Sequence, residues 1–144
     1  MPGRRAVLGG LALLPVTAEA VLADDAALAA AIREAIGDKV PVEAGLTLRL
    51  PPVAENGGQV PLTVLVDSPM TEADHVTAIH VFATRNPTPG VATFRLTAAM
   101  GRAEVQTRIR LAEAQAVIAL AVLSDGTVLR AAARADVMQG GCLS

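Results

Sequence analysis

A hydrophobic period of two residues, broken at intervals by turn-forming residues, restricts this 144-residue chain to a β-rich fold. In the first clear run the leucines of 46–50 alternate with Thr47 and Arg49, and Pro51-Pro52 ends the run. Because successive side chains of a strand point to opposite faces, such a run has one face for a core and one for solvent. Seven short runs, most of them alternating in this way, are predicted as strands: 46–50, 60–66, 75–83, 92–96, 102–111, 116–123 and 127–137.

Two of the later runs indicate how the strands are covered. In the fifth run, charged and polar residues alternate with apolar ones, which predicts a half-buried strand whose charged face meets solvent or a partner. The sixth run, 116–123, is apolar almost throughout, as expected for a strand covered on both faces. Ser124-Asp125-Gly126 then predicts a hairpin turn into the last strand. The fifth run has Ala103, Val105, Ile109 and Leu111 on one face and Arg102, Glu104, Gln106, Arg108 and Arg110 on the other.

This pattern predicts an all-β fold, an immunoglobulin-like antiparallel β-sandwich of about seven strands preceded by a short helix. The chain has one cysteine and no tryptophan, so it lacks the cysteine pair and the tryptophan of antibody domains. Asp24 or Asp25 is predicted to cap the start of the helix, and Gly37 to end it. The length suits one domain with its own core, predicted at 24–137.

The N-terminus has the pattern of an export signal. Arg4-Arg5 precedes an apolar run from Ala6 to Val16, and small residues follow. A basic start, a short apolar region and an Ala-x-Ala-like end are typical of a signal peptide, and the paired arginines favour the twin-arginine route. The apolar run is too short to span a membrane. We therefore expect a signal peptide at 1–23, cleaved after Ala20 or Ala23, and a periplasmic mature protein that has no membrane anchor.

Composition argues against several classes of function. A net charge of -2 and an aromatic content of two phenylalanines offer neither the basic surface nor the stacking side chains that nucleic-acid binding uses. A single cysteine excludes an internal disulfide and a cysteine-cluster metal site. His75 and His80 are five residues apart and would not share a face of a strand or a helix. We expect no metal, no cofactor and no catalytic residue of the chain's own.

One group of acidic residues requires a choice between two interpretations. Asp67, Glu72 and Asp74 are close enough in sequence for a carboxylate pair that could exchange protons with a substrate. A solvated loop that contains an Asx turn explains the same residues and is favoured.

The single cysteine, Cys142, lies two residues from the C-terminus and follows Gly140-Gly141. Glycine adds no side-chain bulk and adopts positive φ readily, so the pair can act as a hinge that also fits a narrow opening. A fully extended tail would project about 20 Å beyond Met138. Self-activation of the thiol needs a nearby cation or base, and Arg134 is the nearest cation in sequence. We therefore predict a mobile carrier arm at 138–144 whose thiol is acted on by other proteins.

Several stretches of the chain resemble the SoxY family, the sulfur-carrier subunits of the periplasmic thiosulfate-oxidising Sox system. Together with the Gly140-Gly141-Cys142 ending they cover essentially the whole predicted mature chain. These stretches are Ala54-Glu55-Asn56-Gly57, Val60-Pro61-Leu62-Thr63-Val64, Val66-Asp67-Ser68-Pro69-Met70-Thr71, Ile79-His80-Val81-Phe82-Ala83, Asn86-Pro87-Thr88-Pro89, Val91-Ala92-Thr93-Phe94, Thr107-Arg108-Ile109-Arg110-Leu111-Ala112 and Ser124-Asp125-Gly126.

The resemblance implies a role and a set of partners. Cys142 would be the covalent attachment site for sulfur intermediates, and Gly140 and Gly141 would belong to a swinging arm. The expected partners are a SoxZ-like subunit in a heterodimer, the haem enzyme SoxAX, which joins thiosulfate to the thiol, and the hydrolase SoxB, which releases sulfate. A further oxidation by the sulfur dehydrogenase SoxCD stays open.

The ending of the chain departs from the family pattern. Family members usually have two glycines after the cysteine, whereas this chain has Leu143-Ser144. The leucine must follow the thiol into any enzyme pocket, so which Sox enzymes accept this tail stays open. Two other interpretations remain: an immunoglobulin-like binding module that is not a carrier, with Arg108 and Arg110 beside Glu104 as a contact surface, or a divergent paralogue with a thiol redox role.

Overall fold

Two β-sheets stacked face to face form the body of the molecule, and one helix lies outside the larger sheet. The structure, a computed structural model, describes residues 16–138. In chain order its elements are helix α1 (Val16–Ile36), β1 (Leu46–Arg49), β2 (Val53–Ala54), β3 (Val60–Val66), β4 (Val76–Ala83), β5 (Gly90–Arg95), a 3-10 turn (Ala98–Met100), β6 (Ala103–Ile109), β7 (Gln115–Leu123) and β8 (Val128–Val137).

The smaller sheet has the order β1-β3-β6 and the larger sheet the order β2-β8-β7-β4-β5. All pairs are antiparallel except β2 with β8, which run parallel. The predicted all-β sandwich is confirmed, and residues 16–138 form eight strands rather than seven. The additional strand, β2, has only two residues, so it carries no hydrophobic period that could have predicted it.

The main core lies between the sheets and follows the two-residue period. In β3, Val60, Leu62, Val64 and Val66 are buried, while the residues between them are exposed or half-buried. Inward-facing side chains of the larger sheet meet them from the other side. Removing one such side chain from water contributes about 1.5–3 kcal/mol, so the alternation itself specifies which face of each strand is inside.

Helix α1 covers the outer face of the larger sheet. Leu28 and Ile32 of the helix pack against Phe82, Ile118 and Leu120, which form a second buried cluster with Ile36 and Val128. Because β7 has the main core on one face and the helix on the other, its continuous apolar run is buried on both sides. The prediction made for 116–123 is therefore confirmed.

The helix begins earlier than the sequence pattern predicts. It already includes Val16, the first described residue, so Asp24 and Asp25 lie inside the helix and not at its start. Its predicted end is confirmed, because Gly37 has a positive φ of 68° and its N–H donates to the Arg33 carbonyl at 2.7 Å. The export signal remains a prediction, and most of it, residues 1–15, lies outside the described residues. Within residues 16–138, no helix combines the length and apolar character that crossing a membrane requires.

Candidate functional site

The predicted carrier arm leaves the sandwich at one end, beside the short strand β2. The Asp136 N–H donates to the Pro52 carbonyl at 2.8 Å, and the Met138 N–H donates to the Ala54 carbonyl at 2.9 Å. The chain is therefore hydrogen-bonded to the body as far as Met138. Cys142, Gly140 and Gly141 lie outside the described residues. Three residues lie between Met138 and Cys142, so four Cα–Cα steps limit the distance between their Cα atoms to about 14 Å.

Three loops surround this exit point, and together with Met138 they define the tail pole: 55–59, 84–89 and 110–114. The Leu111 N–H donates to the Gly57 carbonyl at 2.7 Å, which joins the first loop to the third. The Asn86 amide donates to the Arg110 carbonyl at 2.7 Å, which joins the second to the third. Loops that are remote in sequence thus form one surface around the base of the tail.

A buried pair of amide side chains, Asn86 and Gln115, holds the second and third of these loops together. Gln115 is 1% exposed and Asn86 8%. Gln115 Nε2 donates to Asn86 Oδ1 at 2.8 Å and to the Glu113 carbonyl at 2.9 Å, and Gln115 Oε1 accepts from the Arg85 N–H at 2.7 Å. Asn86 Oδ1 also accepts from the Ala112 N–H at 3.0 Å. Since buried amides need such partners, the pair specifies the loop geometry.

The Asn86–Gln115 pair had no signal in the sequence that identified it as a unit. Asn86 belongs to the Asn-Pro-Thr-Pro stretch, a composition that is typical of a turn. Gln115 precedes an apolar strand and looks like an ordinary polar flank. Only the pairing of β7 with β4 and β8 brings it beneath the loops.

Two exposed ion pairs lie at this end of the sandwich, one within the tail pole and one on the last residues of β8. Arg85 Nε lies 3.2 Å from Glu113 Oε1, and Arg134 Nε lies 3.5 Å from Asp136 Oδ1. All four side chains are at least 47% exposed, so each pair contributes little to stability. Arg134, the nearest cation in sequence to Cys142, thus has a carboxylate partner of its own. The negative charge of that carboxylate reduces the electrostatic stabilisation that Arg134 could give to a thiolate.

The two histidines lie in different environments. His80 is buried beneath helix α1, with its Nδ1 3.1 Å from Thr93 Oγ1. Burial, and secondarily the charge of Arg95, lowers its pKa below the ordinary value of 6.5. His75 lies before β4, with its Nδ1 3.0 Å from the Thr71 carbonyl oxygen. No three His, Cys, Asp or Glu side chains within residues 16–138 come together as metal ligands.

The acidic loop lies at the opposite end of the sandwich from the tail pole. Asp67, Glu72 and Asp74 are all exposed. The turn here is made by hydroxyl groups and not by the expected Asx turn. Thr71 Oγ1 accepts from the Asp74 N–H at 3.1 Å, and Ser68 Oγ accepts from the Met70 N–H at 3.2 Å.

A groove of about 520 Å³ runs between β5 and β6, which are edge strands of the two different sheets. Arg108 and Arg110, the candidates for a contact surface, border it together with Phe94 and Thr107. The groove ends near the tail pole, since Asn86 and Pro87 also line it. The sequence predicted both strands but could not predict that they are neighbours across the sandwich.

Comparison with known proteins gives a consistent result over nearly all of the described chain. The family model for the sulfur oxidation protein SoxY matches residues 32–142. No curated protein has a sequence that matches the chain. The solved structure of the sulfur carrier protein SoxY from Chlorobium limicola f thiosulfatophilum is similar, with 29% identity and a TM-score of 0.66. The alignment covers 79% of this chain and 98% of that one.

Two superoxide reductases share the fold at lower identity. A superoxide reductase variant from Ignicoccus hospitalis has 12% identity and a TM-score of 0.59. The alignment covers 66% of this chain and 81% of the reductase chain. A putative superoxide reductase from Thermotoga maritima has 18% identity and a TM-score of 0.56, and covers 65% and 86%. Similarity at this level extends to the arrangement of strands and no further.

Proposed function

This chain belongs to the SoxY family of sulfur oxidation proteins, and from that membership we propose that it holds sulfur intermediates covalently on Cys142 and presents them to Sox enzymes in the periplasm. A carrier role in sulfur oxidation follows from the family itself. The identity of the carrier atom, the compartment and the partners are the proposed part. The observation that carries the proposal is the extent of the family match, which includes Cys142.

The proposed cycle needs a thiol and enzymes that supply the reactivity. In the first step the Cys142 thiol and the outer sulfur of thiosulfate form a sulfur–sulfur bond. One proton and two electrons leave, and the haem of SoxAX accepts the electrons. In the second step water attacks the terminal sulfone within SoxB. Sulfate and two protons are released, and a persulfide anion stays on Cys142. The chain itself supplies only the atom to which the intermediates are bonded.

The geometry of the described residues supports a role in which this chain only carries the intermediates and the partner enzymes carry out the reactions. Backbone hydrogen bonds hold the chain to the body up to Met138, and the Asn86–Gln115 pair joins two of the three loops near the exit point. Between Met138 and Cys142 lie only Gln139, Gly140 and Gly141, and two of these three residues have no side chain. A narrow enzyme pocket can therefore admit the segment that leads to the thiol.

The proposed partners include a SoxZ-like subunit in a heterodimer, together with SoxAX, SoxB and, as an open case, SoxCD. Export by the twin-arginine pathway would bring the chain to the compartment of these enzymes. Leu143 and Ser144 replace the usual terminal glycines. The bulk of the leucine is expected to slow the enzyme with the tightest pocket most.

Mass spectrometry of the intact mature protein tests the proposal. Protein purified from cells that oxidise thiosulfate should carry thiosulfonate or persulfide adducts, and fragmentation should place them on Cys142. The Cys142→Ser variant should fold normally, carry no adduct and fail to support thiosulfate oxidation. An unmodified Cys142 during active thiosulfate oxidation would contradict the proposal.

The same experiment separates the carrier from a binding module. If Cys142→Ser left sulfur oxidation unchanged while substitution of Arg108 and Arg110 abolished it, the thiol would be incidental. A redox relay predicts instead an intermolecular disulfide as an obligatory intermediate, because the chain has no second cysteine to resolve it.

A further inference from the structure

Strand β6 is an edge strand whose second side is open. Within residues 16–138 it pairs only with β3, in a continuous register from Val60↔Ile109 to Val66↔Ala103. Strand β5, across the groove, also has one edge without a partner among the described strands, but an extra residue interrupts its pairing with β4. Such a bulge twists an edge and makes it a poor template. The regular edge of β6 is therefore the better template for a further strand.

The backbone groups that β6 offers to a further strand can be identified from its neighbours. The Asp67 N–H donates to the Gly45 carbonyl at 2.8 Å, so the odd-numbered residues of β3 direct their backbone groups towards β1. The backbone N–H and C=O groups of the even-numbered residues of β3 then point to β6, where they form hydrogen bonds with the odd-numbered residues of β6. Pro61 fits this assignment. Its nitrogen, which has no hydrogen to donate, is on the side of β1, and β1 pairs with β3 only as far as Arg49↔Thr63, so no hydrogen bond is lost there. The N–H and C=O groups of Glu104, Gln106 and Arg108 consequently point to the open side.

The side chains of β6 are complementary to themselves when a second β6 is laid antiparallel beside the first. With Gln106 opposite Gln106, Glu104 of each copy lies opposite Arg108 of the other, and both residues have their backbone groups on the open side. On the inner face, Val105 lies opposite Thr107, and both are half-buried in the single chain. Opposite charges in directly facing positions stabilise a strand pair, and like charges destabilise it.

We propose that this edge pairs with the same edge of a second copy of the chain, about a two-fold axis through Gln106. The contact joins two three-stranded sheets into one of six strands. It is isologous, so each favourable pair occurs twice. The overlap spans the whole of β6, residues 103–109. Just beyond its ends the same register places Arg102 opposite Arg110, and Arg102 lies 3.6 Å from Glu104 of its own chain, so the attraction between the copies comes from the facing Glu104 and Arg108 side chains. This inference does not depend on the proposed carrier role.

The symmetry separates the two tails. The axis reverses the strand direction, so the tail poles lie at opposite ends of the pair. The Ile109 end of one β6 is then about 20 Å along the strand from the Ile109 end of the other, given about 3.4 Å per residue. Such a pair leaves both copies of Cys142 free for partner enzymes. It should also form equally well in Cys142→Ser and in the presence of a reductant, unlike a dimer made through a tail disulfide.

Sedimentation equilibrium of the purified protein from about 10 µM to 1 mM tests the contact. The wild type and Cys142→Ser should show the same reversible dimer. Arg108→Glu brings two pairs of like charges together and should raise the dissociation constant by about tenfold or more. Glu104→Arg should have a similar effect, and the double variant Glu104→Arg/Arg108→Glu should restore association, because the complementary order of charges is restored.

Arg49→Glu is the matched control, since Arg49 is an exposed arginine on β1, at the other edge of the same sheet. It should leave the dissociation constant unchanged. A monomer at every concentration would overturn the proposal. An equal loss in Arg49→Glu and Arg108→Glu, or failure of the double variant to recover, would overturn it as well.

Hydrogen exchange of the unaltered protein provides a test that needs no variant. As concentration rises, the amides of Glu104, Gln106 and Arg108 should exchange more slowly, because they gain partners. The amides of Val105 and Thr107 already bond β3 and should change little. Exchange at the even-numbered residues that is independent of concentration would contradict the proposed edge, even if dimers formed.

Discussion

Replacing Gln115 with leucine should lower the free energy of unfolding, because the substitution removes the buried hydrogen bonds that hold two loops of the tail pole. The side chain takes part in three hydrogen bonds, to Arg85, Asn86 and Glu113, at 2.7–2.9 Å, and it is 1% exposed. Each such bond contributes about 1 kcal/mol net, and a buried group that loses its partner costs more. Leucine has a similar volume and gains some apolar contact. We therefore expect Gln115→Leu to lower the free energy of unfolding by about 2–4 kcal/mol.

Urea unfolding followed by far-ultraviolet circular dichroism is the appropriate assay, because the chain has no tryptophan or tyrosine to report by fluorescence. Gln59→Leu is the matched control, since Gln59 is an exposed glutamine in the 55–59 loop of the same pole. It should change the unfolding free energy by less than about 0.5 kcal/mol. A loss below about 1 kcal/mol in Gln115→Leu, or an equal loss in both variants, would refute the assignment of a structural role to the buried amide pair.

Two further predictions follow from buried or constrained positions. Because burial and Arg95 lower the pKa of His80 in the folded state, the folded protein binds fewer protons than the unfolded chain. The contribution of neutral His80 to stability is fully present above about pH 6.5 and is lost as the pH falls towards the lowered pKa. His80→Gln should therefore flatten the acid side of the stability profile measured by urea unfolding, and an unchanged profile would contradict this. Gly126→Ala should cost about 1–2 kcal/mol, because Gly126 has a φ of 92° and an added Cβ would lie 3.0 Å from Lys39 Nζ. Thermal unfolding at an unchanged midpoint would show that the turn relaxes without strain.

Seven of the eight described strands were predictable because the sequence signal for each of them is local. In Val60–Val66 the alternation of apolar and polar residues is a property of seven neighbouring residues, and burial follows it position by position. The Ser124-Asp125-Gly126 turn was predictable for the same reason: the Thr127 N–H donates to Asp125 Oδ1 at 2.8 Å, a contact two residues long. The predicted start of helix α1 was wrong. The apolar residues before Asp24 continue the helix, although Asp24 is a residue type that often caps a helix.

The candidate site was predictable in one part and hidden in another. Cys142 and its two glycines stand out in the sequence because they are unique in type and position. The Asn86–Gln115 bond joins residues 29 apart, and neither residue has a local pattern that indicates a buried partner. The parallel pairing of Val53 with Asp136 is hidden for the same reason, since it joins β2 to a strand more than 80 residues away.

The amino-acid sequence determined which segments are strands, which faces are apolar and which thiol stands apart, because these are properties of residue order at short range. Tertiary structure alone decided which loops meet at the tail pole, which amides are buried there and which edge of a sheet is left open. Those outcomes depend on how strands distant in sequence are ordered within the two sheets. That order is set by the burial of the whole core. Each strand contributes to the core, but the sequence of a single strand does not specify which other strands lie beside it.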